Sequence, residues 1–285
     1  RNAMIDPDTL KAEIARNVAA ALAEDIGSGD LTAKLIDPDK EARGRLISRE
    51  PAILCGQAWF ETAFRLLEPE AMILWFVREG ESVEPNQPVC EIESRARTLL
   101  TAERTALNFL QLLSGVATQV HRYCRAVEGT AAKIVDTRKT IPGLRLAQKY
   151  AVQVGGGTNH RIGLYDGILI KENHIIAAGG IRQALEAAQR IAPSNVFIQI
   201  EVETLAQLHE ALACGAKMIL LDNMSLEEMA EAVRITQDRA ELEASGGVDL
   251  ERVRQIAATG VHRISIGRLT KDIRAIDFSL RHVEI

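Results

Sequence analysis

Arg138 and Lys139 are adjacent cations in the stretch DTRKTIPGLR, which covers residues 136–145. Two neighbouring positive charges repel each other unless water or an anion lies between them. Thr137 stands ahead of the pair, and Pro142 and Gly143 follow it. The stretch is therefore either a solvated surface turn or a socket for a strongly negative ligand.

The surrounding segment, residues 136–174, is rich in cations. It contains six Lys or Arg and three acids, whereas the whole chain has a formal charge of −5. His160 and Arg161 stand close behind three glycines at 155–157, and glycine lets backbone N–H groups approach an anion. An Arg fork suits a carboxylate, and a Lys suits a phosphate. Together these residues imply a ligand with several negative charges.

Short apolar segments alternate with helical patterns through the second half of the chain. Strands are predicted at 133–136, 167–170, 196–202, 217–222, 240–245 and 262–267. Helices are predicted at 181–192, 205–215, 226–236 and 250–260. This alternation predicts parallel βα units, and their number favours a TIM-like barrel, with a doubly wound open sheet as the alternative. No G-x-G-x-x-G follows the first strand, which weakens the dinucleotide-binding version of that alternative.

Polar residues stand at the end of every predicted strand of this half, where a βα barrel builds its site. They are Asp136, Lys171, Glu201, Asp222, the run Ser245-Gly246-Gly247 and the run Ser265-Ile266-Gly267. The two glycine-bearing runs suit a terminal phosphate, which backbone N–H groups can bind. Glu201 and Asp222 are either ion-pair partners of the cations or ligands for sugar hydroxyls or a phosphate-bound metal. The implied ligand combines phosphate, ribose and a second polyanionic piece.

The first half, to about residue 115, lacks the regular alternation of strands and helices. A helix is predicted over 10–27, and strands are predicted within 41–56, 71–77 and 89–94. A long helical pattern over 98–129 joins the two halves. This order predicts a smaller domain ahead of the barrel.

Composition excludes several functional classes. The chain has 285 residues and a net charge of −5, so no global positive field attracts nucleic acid or anionic lipid. No apolar run is long enough to span a bilayer, and no signal-peptide pattern precedes Met4. The four cysteines are far apart and the six histidines lack zinc-ligand spacing, which predicts thiols in a reducing cytoplasm and no dedicated metal site.

Seven blocks, in order, resemble the quinolinate phosphoribosyltransferase family. They are TAERTALNFLQLLSGVAT, DTRKTIPGLR, GGGTNHRIGLYDGILIKENH, IEVET, LLDNM, EASGGV and ISIGRLT. The resemblance runs from about residue 10 to the C-terminus. One departure is Ile141, where the family more often has Thr.

The resemblance implies an α/β fold: an open seven-stranded TIM-like α/β barrel with an N-terminal α/β sandwich domain. It implies an N-terminal domain over 4–115 and a barrel over 116–269, with the tail 270–285 packed back on the first domain. It also implies a cytoplasmic homodimer, leaving a hexamer open, whose active site is completed by Arg104 of the neighbouring subunit.

The implied reaction joins quinolinate to phosphoribosyl pyrophosphate and gives nicotinate mononucleotide, pyrophosphate and carbon dioxide, a step of NAD biosynthesis. Mg²⁺ is expected to arrive with the sugar substrate. The catalytic residues implied are Lys139, Lys171, Glu201 and Asp222. The substrate-binding residues implied are Arg104, Thr137, Arg138, Lys139, His160, Arg161, Lys171, Glu201, Asp222, Ser245, Gly246, Gly247, Ser265, Ile266 and Gly267.

Three alternatives remain at this stage. A nicotinate phosphoribosyltransferase would accept one carboxylate and release no carbon dioxide, and the presence of both Arg138 and Arg161 favours the diacid. A homologue linked to molybdate transport shares much of the pattern. A non-catalytic barrel that senses a sugar phosphate would need the cations but not Glu201 and Asp222.

Overall fold

Local capping explains where several helices begin. Asp6 accepts a hydrogen bond from the Thr9 backbone N–H at 2.9 Å, and Pro7 fits the first helical position because its ring fixes φ near the helical value. Gly27 ends this helix with φ 55°. Three later helices begin in the same way, with a side-chain oxygen accepting the N–H three residues on, at Thr204, Ser225 and Asp249.

The computed structural model describes residues 5–283, so Met4, Glu284 and Ile285 of the predicted domains lie outside the described residues. Ten α-helices lie within this range: α1 Pro7–Ile26, α2 Gln57–Arg65, α3 Ala96–Ala126, α4 Arg145–Val154, α5 Glu172–Ala178, α6 Ile181–Ile191, α7 Leu205–Ala213, α8 Leu226–Thr236, α9 Leu250–Ala258 and α10 Arg268–Lys271. Twelve strands accompany them: β1 Glu41–Ser48, β2 Ala52–Ile53, β3 Met72–Trp75, β4 Ser82–Val83, β5 Pro88–Arg95, β6 Lys133–Val135, β7 Gly167–Ile170, β8 Phe197–Val202, β9 Met218–Asp222, β10 Glu241–Ser245, β11 Arg263–Ser265 and β12 Phe278–Val283.

The chain divides into two compact units. Among the described residues, the first unit contains 5–121, Thr140–Gly156 and 269–283; the second contains Arg122–Lys139 and Gly157–Arg268. The predicted boundary between residues 115 and 116 falls inside α3, and α4 groups with the first unit. None of the described helices is both long enough and apolar enough to cross a bilayer.

The first unit is built on a four-stranded antiparallel sheet in the order β12-β1-β5-β3. The C-terminal strand β12 pairs with β1 in a register that places Leu280 beside Leu46. Large side chains that are fully buried fill its core, among them Trp59, Phe60, Phe64 and Leu110. Burial of apolar area on this scale is the main stabilising contribution to such a unit.

The second unit contains a parallel sheet in the order β6-β11-β10-β9-β8-β7. The strand that comes first in the chain, β6, pairs with the strand that comes last, β11, and the other strands follow in descending order to β7. This is the strand order of a barrel that is cut between β6 and β7. A doubly wound sheet instead reverses its order at a switch point, so this order confirms the barrel and excludes that alternative. The sheet is open between β6 and β7. Beside the open edge, Thr158 forms a one-residue parallel bridge to Val135, so six regular strands and this bridge stand where seven strands were predicted.

Gly155 is the first of the three glycines at 155–157. Its lack of a side chain is explained by close packing against α3 rather than by anion binding. A Cβ on Gly155 would lie 2.5 Å from the Ala117 carbonyl oxygen and 2.8 Å from Val120 Cβ, both in α3. Gly155 therefore lets the end of α4 approach α3.

We expect Gly155→Ala to destabilise the protein by about 1–3 kcal/mol, the usual cost of overpacking a rigid contact. The control is Gly44→Ala, whose Cβ would have as its nearest neighbours the side-chain methyl groups of Leu280 and Leu99, at 3.2 Å. These flexible methyl groups can shift, so the control should cost clearly less. The measurement is the urea midpoint of each variant, and an unchanged midpoint for Gly155→Ala would contradict the packing explanation.

Candidate active site

The carboxyl ends of the parallel strands surround a cavity of about 350 Å³ in the second unit. Most of the residues that line it are of polar or charged type: Asp136, Thr137, Arg138, Lys139, His160, Arg161, Leu169, Lys171, Glu201, Leu220, Asp222, Glu243, Ser245 and Ser265. Parallel register explains why these residues converge. Ser245 lies beside Asp222 on one side and beside Ser265 on the other, so the ends of three neighbouring strands present polar groups at one level.

Ten of the fifteen site residues predicted from the sequence line this cavity. Those that do not are Gly246, Gly247, Ile266, Gly267 and Arg104. The structure gives a separate reason for one of these glycines: a Cβ on Gly267 would lie 2.9 Å from Lys139 Cδ. Gly267 therefore leaves room for the Lys139 side chain at the cavity wall.

Gly246 and Gly247 follow β10 with φ angles of 102° and 58°, which L side chains adopt with strain. No heavy atom lies within 4 Å of a Cβ built on either residue. The backbone angles of the turn after β10 therefore favour glycine at both positions, although there is room for a side chain at each. Arg104 lies in the first unit on α3 and is exposed; there it borders a cavity of about 330 Å³ together with Asp25 and Asp30.

The cationic part of the cavity contains Arg138, Lys139, Arg161 and Lys171. Burial lowers the pKa of Arg161, and repulsion from Arg138 lowers it further, with Asp166 opposing both. The Arg138 guanidinium is therefore close enough to disfavour the charge of Arg161. Such a pair suits an anionic ligand, because the ligand's negative charge would relieve the repulsion.

The acidic part of the cavity contains Glu201 and Asp222. Burial raises the pKa of Glu201 to about 7, and the hydrogen-bonded carboxyl of Asp222 contributes to the rise, while Lys171 opposes it. Carboxylate oxygens of Glu201, Glu203 and Asp222 all lie within 4.8 Å of one another. Oxygen donors at this spacing are suited to a hard divalent cation.

A buried polar network lies beside these groups, and sequence reasoning missed part of it. Asp136 is fully buried and accepts hydrogen bonds from the His160 backbone N–H and from Asn159 Nδ2, both at 2.7 Å. Glu243 is also buried and accepts from Arg263 Nε at 2.9 Å. A charged residue inside each of the short strands β10 and β11 was the available signal, but the prediction considered only strand ends.

The stretch 136–145 divides between two roles. Residues up to Lys139 border the cavity, and the Lys139 N–H donates to Thr137 Oγ1 at 3.1 Å. The rest belongs to the first unit, where Arg145 Nε donates to Thr140 Oγ1 at 3.0 Å and Arg16 donates to the Gly143 carbonyl at 2.8 Å. The anion-socket hypothesis therefore concerns the first four residues only.

Comparisons with known proteins agree with this arrangement. Residues 30–114 and 116–281 match the family profiles described as the N-terminal and C-terminal domains of quinolinate phosphoribosyl transferase. The chain is 41% identical over 273 residues to a nicotinate-nucleotide pyrophosphorylase (carboxylating) of Mycobacterium leprae, covering 92% of this chain and 95% of the relative. It is 38% identical over 284 residues to a quinolinate phosphoribosyltransferase (decarboxylating) of Nicotiana tabacum, covering 93% of this chain and 81% of the relative.

A solved structure of the nicotinate-nucleotide pyrophosphorylase from Francisella tularensis superposes on this chain with a TM-score of 0.93. The two chains are 44% identical, and the superposition covers 96% of this chain and 97% of the other. The predicted fold class is thus confirmed across nearly the whole length.

The raised pKa of Glu201 predicts how stability depends on pH. In the unfolded chain Glu201 ionises near its ordinary value of 4.5, whereas in the folded chain it ionises near pH 7. Stability is therefore lost between about pH 4.5 and pH 7 and stays lower above that range. Glu201→Gln removes the charge, so without ligands or divalent cations it should melt at a higher temperature than wild type at pH 8 and at the same temperature near pH 4.5.

Scanning calorimetry at both pH values measures the effect. Glu186→Gln, an exposed change on α6, is the control and should follow wild type throughout. A melting temperature for Glu201→Gln at or below that of wild type at pH 8 would show that the folded chain does not disfavour the Glu201 carboxylate.

Proposed function

Because the chain belongs to the quinolinate phosphoribosyltransferase family, we propose that it transfers phosphoribosyl from phosphoribosyl pyrophosphate to quinolinate. The products are nicotinate mononucleotide, pyrophosphate and carbon dioxide, as required for NAD biosynthesis. One observation carries the proposal beyond family membership: two adjacent guanidinium groups and two interacting carboxyl groups border one cavity of about 350 Å³. A pyridine diacid and a pyrophosphorylated sugar together match this set of charges.

Quinolinate has two carboxylates on neighbouring ring carbons. The forks of Arg138 and Arg161 can each form paired hydrogen bonds to a carboxylate. Lys139 and Lys171 border the same cavity and provide point charges suited to the pyrophosphate. The protein thereby holds two anions together that would repel each other in water, which lowers the entropic cost of reaction.

Glu201 and Asp222 are proposed to act on the ribose. As pyrophosphate leaves, the C1–O bond breaks, its electron pair departs with pyrophosphate, and the sugar carbon becomes cationic. Carboxylates fixed beside this carbon stabilise the charge as it develops. The pyridine nitrogen then donates its electron pair to C1 and becomes a pyridinium.

Decarboxylation follows from that positive charge. The bond between ring carbon 2 and its carboxylate breaks, and its electron pair stays on the ring carbon beside the pyridinium nitrogen. Carbon dioxide leaves, and the ring carbon takes a proton. In this scheme the chain supplies no covalent nucleophile.

A magnesium ion carried in with the sugar substrate fits the oxygen donors of Glu201, Glu203 and Asp222. It would neutralise charge on the pyrophosphate as that group leaves. These three residues would hold it, while Lys139 and Lys171 would contact the phosphate oxygens.

We propose further that the enzyme is a cytoplasmic homodimer and that Arg104 completes the neighbouring subunit's site. The exposed position of Arg104 on α3 supports this role, because its guanidinium is accessible to another chain. The four cysteines, which are free thiols, agree with a reducing compartment.

Carbon dioxide release from quinolinate labelled at the 2-carboxylate tests the reaction directly. With phosphoribosyl pyrophosphate and Mg²⁺ present, we expect one labelled carbon dioxide for each nicotinate mononucleotide formed. Nicotinate, assayed beside it, should give little or no product. Turnover of nicotinate without turnover of quinolinate would instead identify a monoacid phosphoribosyltransferase.

Arg138→Ala should raise the KM for quinolinate and lower kcat/KM at least tenfold, about 1.4 kcal/mol of transition-state stabilisation. The reason is the loss of one guanidinium fork to a carboxylate. Steady-state kinetics with quinolinate varied at saturating sugar substrate measure the change. The matched control is Arg182→Ala, an exposed Arg on α6, and wild-type kinetics in Arg138→Ala would remove Arg138 from the site.

A further inference from the structure

The imidazole of His160 uses both of its nitrogens within the protein. Nδ1 accepts a hydrogen bond from the Arg161 backbone N–H at 2.9 Å. Nε2 lies 2.9 Å from Gln199 Oε1 and 3.4 Å from Glu243 Oε2. The edge of the ring also contacts Phe197, with centroids 5.4 Å apart. Both ring nitrogens thus have partners within the protein.

These contacts fix the tautomer of the ring. Because Nδ1 accepts from an N–H, it cannot carry a proton itself. Both partners of Nε2 are oxygens, so Nε2 carries the proton and donates it. The contacts are therefore those of the Nε2–H tautomer, whose proton is directed toward Gln199 and Glu243.

Gln199 supports the same assignment. Its side chain is fully buried, and its Nε2 has no hydrogen-bond partner among the residues that the structure describes. An unsatisfied buried amide costs free energy. If the amide were flipped, its N–H groups would face the Nε2–H of His160, and two donors would oppose each other. The observed orientation keeps the hydrogen bond with His160 and leaves the amide nitrogen of Gln199 without a partner among the described residues.

Glu243 anchors this network with a charge. It is 2% exposed and forms an ion pair with Arg263, from Nε to Oε1 at 2.9 Å. Although burial raises the pKa of Glu243, hydrogen bonding from His160 and the charge and hydrogen bond of Arg263 outweigh it and lower the pKa. Glu243 is thus a carboxylate at neutral pH, and one of its oxygens faces the proton on His160.

Arg161, the next residue, has its guanidinium fixed near the start of β7. Arg161 Nη1 donates to the Gly167 carbonyl at 3.4 Å. Its backbone N–H is held by His160 Nδ1. Arg161, whose side chain borders the cavity, is therefore tied through its backbone to His160 and the hydrogen-bond network around it.

We propose that Glu243 is a positioning residue, which holds His160 in the Nε2–H form so that His160 Nδ1 fixes Arg161 for the substrate carboxylate. His160 then acts through Arg161 rather than as a direct ligand of quinolinate, the role expected from the sequence. The inference rests on the proposed function, because it assigns Arg161 to the binding of a quinolinate carboxylate.

Nitrogen-15 NMR of the histidine side chains in the wild-type protein tests the tautomer. We expect His160, assigned by through-bond correlation to its Cβ, to show a protonated Nε2 and an unprotonated Nδ1 at neutral pH. The pattern should persist when quinolinate is added to saturation without the sugar substrate. A protonated Nδ1 in either state, or a protonation change on binding, would make His160 a direct ligand and overturn the proposal.

The same experiment separates this inference from the proposed function. Absence of any quinolinate binding would count against the proposed function, whereas the spectrum of the free protein alone still decides the His160 tautomer.

Glu243→Gln tests positioning in kinetics. Arg263 and His160 face different carboxylate oxygens of Glu243, and an amide has only one oxygen, so the KM for quinolinate should rise at least tenfold, with smaller changes in kcat and in the KM for phosphoribosyl pyrophosphate. The matched control is Glu241→Gln, an exposed change on the same strand, which should stay within twofold of wild type. An unchanged quinolinate KM in Glu243→Gln would overturn the proposal.

A double-mutant cycle with His160→Gln distinguishes positioning from a general loss of structure. If Glu243 acts through His160, adding Glu243→Gln to His160→Gln should change the quinolinate KM by less than twofold. Multiplicative effects would show that Glu243 acts independently of His160 and would overturn the proposal. Should Glu243→Gln fail to fold, the wild-type spectrum remains decisive.

Discussion

Repulsion between like charges is the constraint on which this site depends. Burial and the nearby Arg138 guanidinium lower the pKa of Arg161, and burial and the Asp222 carboxyl raise the pKa of Glu201 in the same cavity lining. Neither pair would persist on a flexible surface, because the groups would move apart. The cyclic order of six parallel strands supplies the rigidity, since it brings the strand ends to one level. A ligand that places negative groups beside the two arginines and positive charge beside the two carboxyl groups relieves both repulsions.

Much of this arrangement could be predicted from the sequence, because strand ends are visible in it. Apolar runs of four to seven residues separated by helical patterns place the C-terminal ends of the strands within a residue or two. Lys171, Glu201 and Asp222 followed from that rule, and all three line the cavity. The stretch 136–145 shows its limit. The hypothesis treated all of its charged residues as one anion site, yet Arg145 begins helix α4 in the other compact unit. No local pattern in the stretch indicates this division.

The buried network could not be predicted, because it depends on which strands are neighbours and in which register. Glu243 and Arg263 are 20 residues apart in the chain, and they meet because β10 and β11 pair with these two residues side by side. His160 was identified as a site residue from its neighbours, but its orientation follows from a hydrogen bond to Gln199 in β8 and a 3.4 Å contact with Glu243 in β10. Gly155 is similar: its lack of a side chain is explained only by the approach of α3.

The central claim is that the cavity holds a diacid, so the most direct measurement is the affinity of the wild-type protein for quinolinate and for nicotinate. Both are determined by calorimetric titration in one buffer at one salt concentration. Each charge-assisted hydrogen bond contributes about 1.5–3 kcal/mol, so the second carboxylate should make quinolinate bind at least tenfold more tightly. Equal affinities, or tighter binding of nicotinate, would contradict the account.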